Sequence, residues 1–210
     1  MNVQAPHRPL LINIDGLDAT GKSEISATMT RQVNVTYVEC VPPEFTAFRK
    51  HIADMRAVDA RYLFFMSALA YTAVQIRELL DSGISVVVQS YLMRTTVYHR
   101  AMGATADVVL PPWMPVPDVN FILQTNEPER LRRLRARREN PDPWVLLAAR
   151  KVGDIAARYD SIPAHRIDTS GRTVRQSTNT LLSHALSGGC GCVSNPPVLP
   201  WANLRTAFGA

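Results

Sequence analysis

Short apolar runs recur along this chain, and the stretches between them carry helical spacing. "PLLINIDG" (9–16) is an apolar run closed by glycine and reads as a buried strand. "KSEISATMTRQV" follows with good helix formers at helical spacing. "VTYVECV" (35–41) is a second strand, stopped by Pro42 and Pro43, and "AFRKHIADMRA" a short helix. A long helix covers 59–80, with Asp59 as candidate cap, and "DSG" breaks it before the strand "ISVVVQS" (84–90). "VNFILQT" (119–125) is the next strand, and "PERLRRLRARREN" (128–140) a basic helix that ends before Pro141. "PWVLLAARKVGDIAARYDSI" reads as one helix, "HRIDTSG" (165–171) as the last strand, and "TVRQSTNTLLSHAL" as the closing helix. Strands alternating with helices predict an α/β fold, a doubly wound parallel sheet of about five strands flanked by helices. One domain is expected over 1–187. Residues 188–210, "GGCGCVSNPPVLPWANLRTAFGA", have neither period and read as a Gly/Pro-rich tail.

Composition changes this picture little. The chain has 210 residues, 46% hydrophobic and 20% charged, in the range of soluble globular proteins. No apolar run is read as a membrane span, and "MNVQAPHRPL" has no apolar signal core, so a cytoplasmic location is expected. Cys40 stands alone, Cys190 and Cys192 lie in the tail, and neither a histidine-paired metal spacing nor a disulfide is expected. The net charge of +5 comes almost wholly from arginine, the lysines being Lys22, Lys50 and Lys151, as in proteins of GC-rich genomes. Six arginines fall between Arg130 and Arg138, so the basic charge is local, which argues against a nucleic-acid footprint.

One motif carries chemistry. "GLDATGKS" spans 16–23, with Gly16, Gly21, Lys22 and Ser23 at the spacing of a phosphate-binding loop between a strand and a helix. The glycines let the backbone curl so that its N–H groups, with the helix N-terminus, cradle phosphates. Lys22 reaches the β- and γ-phosphates, and Ser23 serves Mg²⁺. Gly16, Leu17, Asp18, Ala19, Thr20, Gly21, Lys22, Ser23 and Glu24 are therefore the expected nucleotide-binding stretch.

At this point the chain resembles the thymidylate kinase family and its deoxynucleoside-kinase relatives, over roughly 9–185. "IDGLDATGKS" is similar to that family's phosphate loop and "YLFFMSALA" to its Leu-Leu-Phe helix. "LLDSGISVVVQSYLMRTTVYH" resembles its strand and Asp-Arg-Tyr segment. "PDVNFILQTNEPERLRRLRARRE" resembles its Pro-Asp strand and arginine-rich lid, here near 130–142, and "IDTSG" its adenine-side strand. The resemblance implies ATP and Mg²⁺, a small-molecule acceptor, no membrane, and often a homodimer. It assigns Asp18 to the acceptor's sugar hydroxyl, Phe65 (or Phe64) to stacking on the base, Tyr91 to the sugar, and His99 to the place of a base-reading glutamine. Arg135, Arg137 and Arg138 become the candidates for transition-state charge, since the phosphate loop has no arginine.

The departures from the family fall on the acceptor side. Its Asp-Arg pair is Gln89–Ser90 here, its helix arginine after the stacking phenylalanine is absent (Leu69 follows Phe65), and Val41–Pro42–Pro43 replaces an Arg-Glu-Pro. Anionic acceptors need charge-assisted donors, so a pocket poor in phosphate clamps is expected, with Arg94 and Arg49 as partial replacements and Tyr98 as a further contact. Asp15 either holds Mg²⁺ through water in place of the lost aspartate or is a structural strand-end carboxylate. Glu44 is either a base or a solvated loop residue. The expected activity is ATP- and Mg²⁺-dependent phosphoryl transfer to a hydroxyl or phosphate of a nucleoside, nucleotide or related metabolite other than dTMP. The alternatives are a catalytically weak nucleotide-binding regulator and a phosphotransferase of natural-product biosynthesis or antibiotic self-protection.

Overall fold

The computed structural model describes residues 8–53, 57–136 and 143–187. Five strands, β1 (Leu11–Gly16), β2 (Val35–Val38), β3 (Ser85–Gln89), β4 (Val119–Gln124) and β5 (His165–Asp168), pair in the order β2-β3-β1-β4-β5. Every pairing is parallel. The order turns back at β1, whose two neighbours come later in the chain. That switch point opens a crevice beyond the strands' carboxyl ends, the place where open α/β sheets bind ligands. All six residues of β1 are buried, as a central strand covered on both faces requires.

The helices α1 (Lys22–Gln32), α2 (Pro43–Ala53), α3 (Val58–Asp81), α4 (Leu92–Ala101), α5 (Glu127–Ala136), α6 (Pro143–Arg150), α7 (Val152–Asp160) and α8 (Val174–Ser187) cover the sheet. Alternate residues of β1 serve opposite faces. Leu11 packs with Tyr62, Leu69 and Ile76 of α3, whereas Ile12 and Ile14 pack with Ile25 and Met29 of α1 and Leu181 of α8. A third cluster joins α4 to α7 through Met93, Val97, Ile155 and Tyr159.

Five local features differ from the sequence reading. β2 ends at Val38 and α2 already starts at Pro43, because proline's fixed φ suits the first helical position. α4 carries no amphipathic signal, because eight of its ten residues are buried. The helix expected from Pro143 onward breaks at Lys151 into α6 and α7. Asp59 does not cap its own helix: it accepts hydrogen bonds from the backbone N–H groups of Thr105 (2.7 Å) and Ala106 (2.9 Å) and from the Thr105 hydroxyl (2.9 Å). α3, at 24 residues and a mean hydropathy of 1.2 over its most apolar window, is long and apolar enough by composition to cross a membrane, contrary to the sequence reading. Its Tyr62, Met66, Leu69, Ala73 and Ile76 pack in the core, while Leu63, Tyr71 and Val74 form an exposed stripe. The tail, 188–210, lies outside the described residues, as do 137–142 of the lid.

Gly16 is required by packing as well as by conformation. Its φ is +129°, and a Cβ there would sit 2.4 Å from the Leu123 carbonyl oxygen of β4. Gly83 also has a positive φ, +80°, but a Cβ there meets nothing within 4 Å. Gly16→Ala is therefore expected to cost more than about 2 kcal/mol of stability, and Gly83→Ala about 1 kcal/mol. Urea denaturation of the two variants checks this; equal losses would show that the β4 contact does not matter.

Candidate active site

The phosphate loop leaves β1 at Gly16 and enters α1 through Gly21, which sits in the left-handed region at φ +98°. Ala19, also left-handed at φ +68°, completes the curl. Lys22 lies folded onto the loop, its Nζ donating to the carbonyls of Gly16 (2.9 Å) and Leu17 (2.8 Å). The Ser23 hydroxyl donates to Oε1 of Gln89, 3.2 Å away. Thr169, after β5, supports the loop from below. Its hydroxyl donates to the Thr20 carbonyl at 3.1 Å and lies 2.6 Å from the Thr125 hydroxyl.

Beside the loop lies a cavity of about 370 Å³, lined by Thr20, Glu24, Arg132, Arg133, Thr169 and Arg172 among others. It lies along the phosphate loop, between α5 and the start of α8, where a nucleoside attached to loop-bound phosphates would extend. Arg133 closes it against the loop: Nη1 donates to the Ala19 carbonyl at 3.3 Å, and Nη2 to Glu129 at 2.6 Å and the Thr169 carbonyl at 3.3 Å. The arginine run thus divides. Arg130 is buried in a bidentate pair with Glu127, and Arg133 braces the loop, whereas Arg135 is exposed at the end of α5. Arg137 and Arg138 lie outside the described residues.

Asp15 is fully buried at the end of β1. Its Oδ1 accepts from the Gly16 N–H (2.8 Å) and the Tyr159 hydroxyl (2.6 Å), and its Oδ2 from the Arg94 N–H (2.9 Å). Burial raises its pKa, against the lowering effects of the Tyr159 hydrogen bond and the charges of Lys22 and Arg94. Asp15 is thus held by three donors of the protein body. Among the described residues, no group of three or more His, Cys, Asp or Glu is placed to hold a metal.

A second cavity, about 250 Å³, opens on the other side of Ser23's partner Gln89. β3 and α4 supply Gln89, Ser90, Arg94, Tyr98 and His99; α3 supplies Arg61 and Phe65; α6 supplies Trp144; Arg49 comes from α2. Ser90 holds a left-handed φ of +58°, and the adjoining Tyr91 N–H donates to Asn13 of β1 at 3.3 Å. Arg94 pairs with Asp18 of the phosphate loop at 3.1 Å, and its guanidinium carbon lies 3.9 Å from the centre of the Tyr98 ring. Burial opposes its charge, but Tyr98, Asp18, Tyr159 and Asp15 outweigh it, so Arg94 stays charged. Arg61 is buried between two rings, 4.2 Å from Trp144 and 5.0 Å from Phe65, and donates to the Ile52 carbonyl at 2.9 Å. Cys40 also lines the cavity; burial pushes its thiol up, so it is no nucleophile at neutral pH.

Of the residues singled out in the sequence, Phe65, Arg94, Tyr98, His99 and Arg49 meet around this second cavity. Phe64 turns to Phe45 and Phe48 instead. Tyr91 is not in the lining: it is fully buried in the core, its hydroxyl 3.4 Å from the Pro115 carbonyl. Glu44 sits exposed in the first turn of α2 and lines neither cavity. Besides Arg49 and Arg94, the two replacement clamps that the sequence offered, Arg61 also lines the space. Arg61 and Trp144 went unnoticed in the sequence. The signal for Arg61 was a cation at the start of an apolar helical stretch, one turn before Phe65.

The family model for thymidylate kinase matches residues 14–161. The fold is similar to that of the thymidylate kinase from Candida albicans, an enzyme of broad substrate specificity, at a TM-score of 0.67 and 18% identity, covering 86% of this chain and 92% of that one. It is also similar to the thymidylate kinase from Ehrlichia chaffeensis, at a TM-score of 0.55 and 16% identity, covering 85% and 98%. No curated protein matches the sequence. The chain belongs to the thymidylate kinase family and is a P-loop nucleotide kinase.

His99 gives the site a pH dependence. Its Nδ1–H donates to the Thr95 carbonyl at 2.7 Å, and burial pushes its pKa down to about 4. Between the ordinary value of 6.5 and about 4, the unfolded chain binds a proton that the folded one refuses, so stability falls as pH falls through that window. His99→Gln is expected to flatten this loss, on the order of 3 kcal/mol in full. Denaturant titrations at pH 7 and pH 4.5 check it; parallel losses in both proteins would contradict it.

Proposed function

We propose that this protein transfers the γ-phosphoryl group of ATP, with Mg²⁺, to the phosphate of a nucleotide-like acceptor other than dTMP. The observation that carries this is the convergence of Arg49, Arg61 and Arg94 on a cavity beside the phosphate loop. Three guanidinium groups suit an anionic acceptor better than a neutral nucleoside. The shift away from dTMP is supported by what surrounds them. Gln89–Ser90 stand in place of the family's Asp-Arg pair, Leu69 is buried core, and Asp18 is engaged by Arg94. The broad specificity of the Candida albicans enzyme puts other acceptors within the range of the fold.

The residues present fit MgATP. Lys22 can swing from its loop carbonyls to the β- and γ-phosphates, and the cavity braced by Arg133 takes the nucleoside. Mg²⁺ neutralises the developing charge when bound, and it is commonly held by one or two protein oxygens together with the phosphates themselves. Ser23 is the oxygen offered here. Asp15, with both its oxygens occupied, is assigned to holding Arg94 and Tyr159 in place. Transfer then depends on positioning and charge: Lys22 on the donor side, the arginines on the acceptor side, and water displaced from the space between. The exposed stripe Leu63–Tyr71–Val74 on α3 is the surface we assign to a second copy of the chain; a monomer mass in light scattering would remove that assignment.

One observation favours a second reading, a nucleotide-binding protein with weak catalysis: the group facing Ser23 is the Gln89 amide, not a carboxylate. A single experiment separates the two. Nucleoside monophosphates, including dTMP, and the corresponding nucleosides are offered with MgATP, and ADP release is measured. The kinase reading expects one monophosphate to exceed dTMP in kcat/KM by about tenfold or more, and nucleosides to trail by about 100-fold for want of the paired phosphate. dTMP as the best acceptor would sink the specificity claim. Tight MgATP binding with no turnover would leave the second reading standing.

A further inference from the structure

Arg94 touches both halves of the site. Its guanidinium lines the acceptor cavity, and Nη2 lies 3.1 Å from Asp18 Oδ1, on the phosphate loop. Asp18 follows directly after Gly16 and Leu17, the two carbonyls on which the Lys22 ammonium rests. The two cations therefore hold the same three residues, 16–18. Among the described residues, only Nη2 has a carboxylate partner, and Nη1 is buried with no hydrogen-bond partner. A buried guanidinium N–H without a partner is costly and marks a place where an acceptor belongs.

The group is also held in advance. The Arg94 backbone N–H is tied to buried Asp15, and the guanidinium plane rests on Tyr98, itself 3% exposed and in edge contact with Tyr159. A charge fixed this way needs little rearrangement when negative charge arrives. It also comes from α4, inside the body, rather than from the arginine-rich α5, whose Arg130 and Arg133 are engaged in ion pairs and whose Arg135 is exposed.

We propose that Arg94 is a catalytic residue that bridges the acceptor phosphate and the phosphoryl group in flight, an arginine finger supplied from within the chain. The proposal rests on the phosphoryl-transfer reading above. In the step, an oxygen of the acceptor phosphate forms a bond to the γ-phosphorus. The bond from that phosphorus to the β–γ bridging oxygen breaks, and its electron pair leaves with ADP. The acceptor phosphate is largely ionised at neutral pH, so no base has to take a proton. Arg94 exchanges Asp18 for phosphate oxygens, and its second edge, now unmet, finds its acceptor only when both phosphates are present. The contact strengthens as charge spreads over the transferring oxygens, so its loss is felt in kcat rather than in acceptor binding.

The test uses the full-length enzyme with its best acceptor and the variants Arg94→Ser and Arg94→Lys, the lysine variant keeping the charge if the serine variant folds poorly. kcat is expected to fall by about 1000-fold in the serine variant and by about tenfold or more in the lysine variant, whose point charge cannot bridge two anions. The Kd for MgATP should stay within about fivefold of wild type, and acceptor KM should rise by much less than kcat falls. Added guanidinium chloride at low millimolar concentration should restore part of the serine variant's rate. A KM rise that carries the whole loss would make Arg94 a ground-state clamp and overturn the proposal. So would an unchanged kcat, or a kcat loss that guanidinium does not rescue. A wild-type enzyme that turns over no acceptor would overturn the kinase reading itself, and this proposal with it.

Discussion

One buried carboxylate holds the site together. Asp15 ends the central strand and takes hydrogen bonds from the next residue of the loop, from the first turn of α4 and from the side chain of Tyr159 on α7. A carboxyl group with no exposed surface is tolerable only when its oxygens are met, and three short bonds meet them here. The same bonds fix the spacing between the phosphate loop and α4. α4 carries Arg94, Tyr98 and His99, so the acceptor cavity inherits its position from Asp15. Asn13, two residues earlier on the same strand, repeats the device by holding the Tyr91 N–H and the Asn120 side chain. The donor grip and the acceptor wall are thus two ends of one polar seam along β1.

That seam explains how a pocket that lost the family's expected clamps still gathers positive charge. Arg61 enters from α3, one turn before the position of Phe65, and is kept flat between Phe65 and Trp144. Arg94 enters from α4 and is kept by Asp18 and Tyr98. Neither is free to collapse onto solvent, which is what makes a guanidinium useful for anion recognition. His99, neutral over the physiological range, presents to the same environment a buried Nε2 that has no hydrogen-bond partner among the described residues. The acceptor wall therefore combines cations with a neutral hydrogen-bond acceptor, a mix that selects on more than charge.

Much of the architecture was legible in the sequence because period and punctuation agree there. Most of the strands are apolar runs stopped by glycine, proline or a polar turn, while β5 (HRID) shows itself by the polar turn that follows, and "GLDATGKS" declares its loop by spacing alone. α4 was not legible, since a helix buried on nearly every side has no polar face to give it a period. The break at Lys151 was hidden by continuous helix formers on both sides. At the site, residues that act through the local chain, such as Lys22 and Ser23, could be named. Arg61, Trp144 and Thr169 could not, because their roles come from tertiary neighbours: Trp144 stacks on Arg61 from a distant helix, and Thr169 holds the Thr20 carbonyl of the loop. Of the arginines around the acceptor cavity, Arg49 and Arg94 were offered by the sequence as replacement clamps, and only Arg61 was added by the tertiary structure.

The central claim is that two phosphate sites, the loop at 16–23 and the arginine-lined cavity, lie close enough to be occupied by one chain of phosphates. The direct measurement is calorimetric titration with a dinucleoside pentaphosphate that carries adenosine at one end and the preferred acceptor nucleoside at the other. Such a molecule should bind at least about 100-fold more tightly than ATP, because the second site is filled without a second association cost. Affinity no greater than that of ATP would show that the two sites do not communicate through a common phosphate path.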